Sequence, residues 1–159
     1  MASYPNRYIK GDPDSTATGT ALINIKSIRK YSAVTLHSGG WRYAGPNEVV
    51  HGSLYGVSSG HLQICAQGQD IKFRQSGNAV GANDLPLGSK ILGDQRTVGT
   101  ATNQYGYIKA YAGDTTVNSA ELTRLSKSRG VIVSKGTANT AGAEASADVL
   151  VVLSYGLIV

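Results

Sequence analysis

The chain of 159 residues has one cysteine, one methionine, one phenylalanine and one tryptophan, and only 16% of its residues are charged. Each shortage closes a route. A lone Cys65 can form no disulfide within the chain, so stability must come from packing. A chain of this length buries about 68–70% of its unfolded surface, enough for a core without metals or cross-links. No apolar run approaches the ~18 residues that a membrane-spanning helix needs, so no membrane partner is expected. Met1–Arg7 lacks the apolar centre of a secretory signal, which points to synthesis and folding in a cytoplasm. Charge lies well below the usual ~25% of globular domains. With 41% apolar residues the composition is the opposite of a disordered chain. A surface short of charge and rich in Ser, Thr, Gly and Tyr suits extensive contact with other protein.

Chemistry-bearing groups are equally sparse. His37, His51 and His61 stand in no metal spacing, and no cysteine pair exists to complete a zinc site. His61 and Cys65 would be neighbours on a helix. On the strand that their surroundings predict they lie about 13 Å apart, far beyond the reach of a nucleophile and its base. Asp12-Pro-Asp14 opens like a calcium loop but has Ala17 where the loop's glycine belongs and Ile23 where its bidentate glutamate belongs. Gly88-Ser-Lys90 has phosphate-loop letters in the wrong order and reads as a turn. Ten scattered acids single out no carboxylate pair. The expectation is therefore no enzyme, with no catalytic residue, cofactor or metal.

What the chain does have is punctuation. Twenty glycines divide it into short apolar runs with strand periodicity. Ile23–Lys26, Tyr31–Leu36, Val49–His51, Leu54–Val57, Leu62–Ala66, Ile71–Arg74, Lys90–Leu92, Gln104–Tyr111, Val131–Val133 and Val149–Leu153 read as strands. Gln67-Gly-Gln-Asp70 reads as the turn of a hairpin joining Leu62–Ala66 to Ile71–Arg74, and Gly93-Asp-Gln-Arg96 as another turn. Asn118-Ser-Ala-Glu121 matches a helix capping box, Leu122 and Leu125 follow at helical spacing, and Gly130 stands where a helix would stop; one short helix is expected at about 119–128. The absence of a βαβ rhythm makes the chain all-β, a small β-barrel or β-sandwich with at most one short helix. Residues 1–20, polar and broken by Pro5, Gly11, Pro13 and Gly19, read as an extended N-terminal arm ahead of a single β domain at 21–159.

Net charge is +5, with the basic residues scattered and densest at Lys26/Arg29/Lys30 and Arg124/Lys127/Arg129. This fits a mildly basic surface or a docking face for an acidic partner better than nucleic-acid binding. Nine tyrosines against one Phe and one Trp point to interfaces, because the ring buries apolar area while the hydroxyl keeps contact with water. Trp41-Arg-Tyr43 and the alternating Tyr105, Tyr107 and Tyr111 are core or subunit contacts, or else stacking platforms for glycan or single-stranded nucleic acid. The closing Asp148–Val159 is too apolar to trail into water, since each exposed Val, Leu or Ile forgoes roughly 1.5–3 kcal/mol. It is a core strand or an oligomer contact.

The second half of the chain, roughly residues 55–159, resembles the decoration, or cement, proteins that stud the capsids of tailed bacteriophages. Leu85-Pro-Leu-Gly-Ser-Lys-Ile-Leu92 resembles their strand-opening pattern, and Gly106-Tyr-Ile-Lys-Ala-Tyr111 the strand that follows. Gly130-Val-Ile-Val133, the Gly/Ala-rich stretch through Ala141-Gly-Ala-Glu144, and Val149-Leu-Val-Val-Leu153 resemble the closing pair of strands. The pattern departs at Ala112-Gly-Asp114, which leads into Thr115-Thr-Val117, and in the long loop 134–147. The resemblance implies a β-tulip-like domain, usually trimeric, seated on the outer capsid surface where subunits of the major capsid protein meet. On this reading the chain is a structural protein of the virion that stabilises the shell as a homo-oligomer. The arm (Tyr4, Arg7, Tyr8, Ile9, Lys10) would touch the capsid, and Tyr105, Tyr107, Tyr111, Leu157 and Val159 would form the oligomer interface. Loss of residues 1–20 would then remove capsid binding and leave the fold intact. The alternatives are another virion protein, of tail or fibre, or a β-type module that binds glycan or nucleic acid.

Overall fold

A computed structural model describes residues 6–75, 88–98, 102–111, 117–134 and 148–153. The fold is all-β with one short helix. Its strands are β1 (Arg7–Gly11), β2 (Ser32–His37), β3 (Gly40–Tyr43), β4 (Gly52–Ser58), β5 (His61–Arg74), β6 (Ile91–Val98), β7 (Thr102–Ala110), β8 (Val131–Ser134) and β9 (Asp148–Leu153); the helix α1 spans Ser119–Lys127. Every ladder is antiparallel. The main sheet runs β3-β2-β4-β5-β9-β8, with β1 also on β5, while β6 and β7 form a separate ribbon.

The main sheet is apolar on both faces because neighbouring residues of a strand point opposite ways. Val34, Leu54, Leu62 and Ile64 join Trp41, Tyr43 and Ile23 in one cluster, closed over by Ile25, Ile28 and Tyr105. Ala33, Cys65, Ile71 and Phe73 join Ala44 and Val50 in the other, which Ile91 and Ile108 of the ribbon and Ile132 of β8 cover. The β4–β5 hairpin turns at Ser59 and Gly60, both at positive φ, the backbone that matches the twist of two paired strands.

Ile23–Lys26 and Val49–His51, expected as strands, form none, and three further expectations change. Gln67–Asp70 is no hairpin turn: β5 runs unbroken from His61 to Arg74. Its first half lies between β4 and β1, and its second half pairs with β9, with a register shift between Gly68 and Ile71. The second half keeps its polar backbone satisfied on the other side, where Lys72 N–H donates to the Tyr55 hydroxyl (3.0 Å) and Arg74 N–H to the Tyr31 carbonyl (3.0 Å). Gly93–Arg96 is no turn either, but the middle of β6. Gly93 lies against another backbone, donating to the Glu48 carbonyl (2.8 Å) and accepting from Asn47 N–H (3.0 Å). The main sheet is curled but does not close into a barrel.

The third change concerns the arm. Residues 7–14 are extended, but they lie along the chain's own sheet. β4 occupies one edge of β5, so β1, paired with Leu62–Gln67, holds the other. The run then passes Gly11, where a Cβ would collide with the Trp41 ring, and reaches the outer edge of β3. There Trp41 N–H donates to the Asp12 carbonyl and Asp14 N–H to the Trp41 carbonyl, both at 2.9 Å. One run of chain thus bonds to both outer edges of the four strands β3-β2-β4-β5. The buried Asp14 carboxylate fastens it, accepting from Thr16 N–H (2.9 Å), the Thr16 hydroxyl (2.6 Å) and Arg42 Nε (2.6 Å). Removing residues 1–20 would therefore take a strand and a buried carboxylate out of the domain, rather than trim an appendage.

The expected helix is present. The Asn118 side chain caps it, accepting from Glu121 N–H at 2.9 Å. It docks in an unexpected sense. Glu121 is its buried residue, bonded to the Tyr111 hydroxyl and to Arg124, while Leu122 and Leu125 face outward.

Two measurements test this account. A Cβ at Gly93 would stand 2.5 Å from the Gly45 carbonyl oxygen, which belongs to backbone and cannot swing aside. Gly93→Ala should lower the free energy of unfolding in urea by about 1–3 kcal/mol; a variant as stable as the parent would refute the close packing of β6. The Thr16 hydrogen bonds, then Arg42, hold the Asp14 carboxyl at a pKa of about 2, against an ordinary 3.8. A depressed carboxyl stabilises the fold above its ordinary pKa, and that stabilisation disappears as pH falls through about 2. Asp14→Asn should therefore melt below the parent at pH 7, with the gap narrowing below pH 4. A gap independent of pH would rule out the ionised carboxylate as its cause.

Candidate functional site

The tyrosines expected at an oligomer interface are largely taken up inside the chain. Gly106 bulges from β7 at φ +99°, and this breaks the alternation: Tyr105 sits opposite Gln95 and Tyr107 opposite Asp94, neighbouring residues of β6. Tyr107 is fully buried, with its hydroxyl donating to Gln104 Oε1 (3.0 Å), so it has no surface left for another copy. Tyr105 packs half-buried against the Trp41 cluster, and the Tyr111 hydroxyl is bonded to Glu121. Trp41 and Tyr43 are buried too, so neither ring offers an open face for stacking. Tyr4, Leu157 and Val159, like Leu85–Leu87 and Ala141–Glu144 of the resemblance, lie outside the described residues.

The histidines and the cysteine are spoken for in the same way. His61 Nδ1 lies 2.7 Å from Asp12 Oδ1, while the Cys65 thiol, four residues along the same strand, is directed to the Gln67 carbonyl. Burial pushes that thiol up to about 11, which keeps it protonated and unreactive at neutral pH. His51 Nδ1 accepts from Leu36 N–H (3.0 Å) and lies 3.2 Å from the Thr35 hydroxyl; burial lowers its pKa, so the ring stays neutral with its proton on Nε2. His37 faces Glu48 at 3.2 Å. Among the described residues no three acidic, His or Cys side chains gather as metal ligands.

What remains is the outer side of β1. Several other strand edges in the fold are covered by backbone. Asp12–Asp14 bond to β3, Gly88 and Ser89 to Ile132 of β8, Asn47 and Glu48 to Gly93 of β6, and Ala44 to Gly106 of β7. Among the described residues β1 bonds only to β5. Arg7, Tyr8, Ile9 and Lys10 are all exposed, Tyr8 to 45% and Ile9 to 41% of their surface. Arg7 and Lys10 carry charge without an acidic partner among the described residues. Tyr8 begins a run of edge-to-face rings, 5.5 Å from Tyr55, which is itself 5.1 Å from Tyr31. Beside them Tyr8, Ile9 and Lys10 share a shallow cleft of about 210 Å³ with Ser58, Leu62 and Gln63. A strand held on one side only, with apolar and cationic side chains outward, is equipped to pair with a further extended segment.

Four of the five residues expected to touch a capsid thus fall together on one exposed strand. The signal that sequence reasoning missed was that this strand belongs to the sheet; Tyr8-Ile9, its one apolar pair, was the available clue. No family model, curated protein or solved structure matches the chain.

The protonated, enclosed state of Cys65 has a direct check. Iodoacetamide at pH 8 should alkylate the folded protein about a hundredfold more slowly than the protein unfolded in urea. Equal rates would mean that the thiol is open and ionised.

Proposed function

We propose that the chain is a structural protein of a bacteriophage virion, a decoration subunit that docks on the outer surface of the capsid and stabilises the shell where subunits of the major capsid protein meet. The observation that carries this reading is the outer side of β1: among the described residues it bonds only to β5, Tyr8 and Ile9 are exposed, and Arg7 and Lys10 have no acidic partner. A shell under internal pressure needs contact area between subunits. Strand addition supplies it through backbone hydrogen bonds, and apolar side chains add to it by burial. Many copies on a symmetric lattice gain avidity beyond the strength of one contact. The low charge and the abundance of tyrosine suit a protein that spends its working life against other protein. Assembly as a homo-oligomer, a trimer by the resemblance, belongs to the same proposal, with a surface other than Tyr107.

Co-sedimentation with empty shells of the cognate major capsid protein tests the reading. Tyr8→Ser combined with Ile9→Ser gives up roughly half the burial of two large side chains and should weaken binding about ten- to a hundredfold. Because both are already half exposed, stability should change by less than about 1 kcal/mol. Unchanged binding by a folded double variant would remove β1 as the contact, and failure of the parent protein to sediment with shells would remove the capsid reading itself.

A further inference from the structure

A second cleft, of about 300 Å³, opens between the Gly19–Arg29 loop and β7, remote in sequence from the exposed face of β1. Its polar lining is rich in donors. Asn24 Oδ1 accepts from Lys26 N–H (3.0 Å) and Gln104 Oε1 from the Tyr107 hydroxyl (3.0 Å), while neither side-chain NH2 has a partner among the described residues. The Tyr43 oxygen already accepts from Arg29 N–H (3.1 Å). Thr20 and Ser27 add hydroxyls. Against this wall lies the Arg29 guanidinium, 4.3 Å from the centre of the Tyr43 ring and bonded through Nη2 to the Tyr105 carbonyl (2.6 Å). Its Nη1 is enclosed and meets no acceptor. Among the described residues no carboxylate pairs with it.

An aromatic face and a carbonyl hold the cation in place, but neither neutralises it. A partly desolvated cation without a counter-charge is costly, and an anion beside it recovers that cost. Amide and hydroxyl donors around a fixed positive charge suit a ligand that brings acceptors and negative charge. We propose that this cleft binds a small molecule bearing an oxyanion, a phosphate or a carboxylate, with the Asn24 and Gln104 amides donating to it and Arg29 supplying the charge. The volume is at the lower end for ligand sites, enough for a sugar-sized acid or phosphate ester and too small for a length of polymer. This site is independent of β1 and of capsid binding.

The test follows the side-chain amide resonances of Asn24 and Gln104 by ¹⁵N NMR on the full chain, titrated with inorganic phosphate and separately with glucuronate, each against sodium chloride at equal ionic strength. Saturable shifts of both amides are expected with at least one probe, and the stronger probe tells a phosphate site from a carboxylate site. Asn24→Ala, at an exposed position, and Arg29→Lys should each weaken binding about tenfold, read from the remaining Gln104 resonance. No saturable shift with either probe, an equal response to chloride, or undiminished affinity in a folded Asn24→Ala variant would overturn the proposal.

Discussion

The Asp14 carboxylate joins two stretches of chain that meet through one isolated backbone bridge, Pro13 to Trp41. Without it, residues 12–14 would lie on the edge of β3 held only by the exchange of hydrogen bonds with Trp41. With it, Arg42 on β3 and the Thr16 turn are drawn to one buried point, and the run from Arg7 to Asp14 is pinned at both ends. The curl of β3-β2-β4-β5 depends on this, since the same run holds the far edge of β5 and the far edge of β3. The Trp41 cluster inside the curl depends on it in turn. Losing Arg42 would be the costlier break, because the Asp14 carboxylate left alone would be a buried charge.

Small residues then decide which backbones can approach. Gly93 lets the ribbon of β6 and β7 rest against the 45–48 loop, and Gly106 admits a bulge that turns Tyr107 into the core. Gly11 lets the opening strand pass the Trp41 ring. The result is a sheet covered on both faces and along most of its edges, with polar side chains drawn into pairs. Two features of the described surface stand out from this pattern: the outer side of β1, which can take a strand, and the Arg29 cleft, which can take an anion.

Much of this was legible in the sequence, for identifiable reasons. Strand periodicity in Tyr31–Leu36, Leu62–Ala66 and Ile71–Arg74, and the Asn118–Glu121 cap, are local signals, and the structure bears them out. The failures are failures of locality. Gln67–Asp70 has the composition of a turn but is drawn straight by partners more than eighty residues later in the chain. Gly93–Arg96 likewise takes its conformation from Glu48 and from β7. The Arg7–Lys10 segment was singled out for contact, yet its place in the sheet was not readable, because four residues with one apolar pair carry too little pattern to show a partner at Leu62–Gln67. The Arg29 cleft was invisible for the same reason: Asn24, Arg29 and Gln104 are brought together only by the packing of a loop onto β7.

The unbroken β5 has a consequence for the order in which the molecule can form. Its first half finds β4 within a tight turn and β1 within the first third of the chain, so that part of the sheet can assemble while later residues are still being made. Its second half waits for β9, at Asp148–Leu153. Closing so long a loop is slow compared with forming a hairpin. For that interval Ile71 and Phe73 have part of their core but not their neighbouring strand. The nascent chain therefore holds the second half of β5 without its neighbouring strand until β9 has been made.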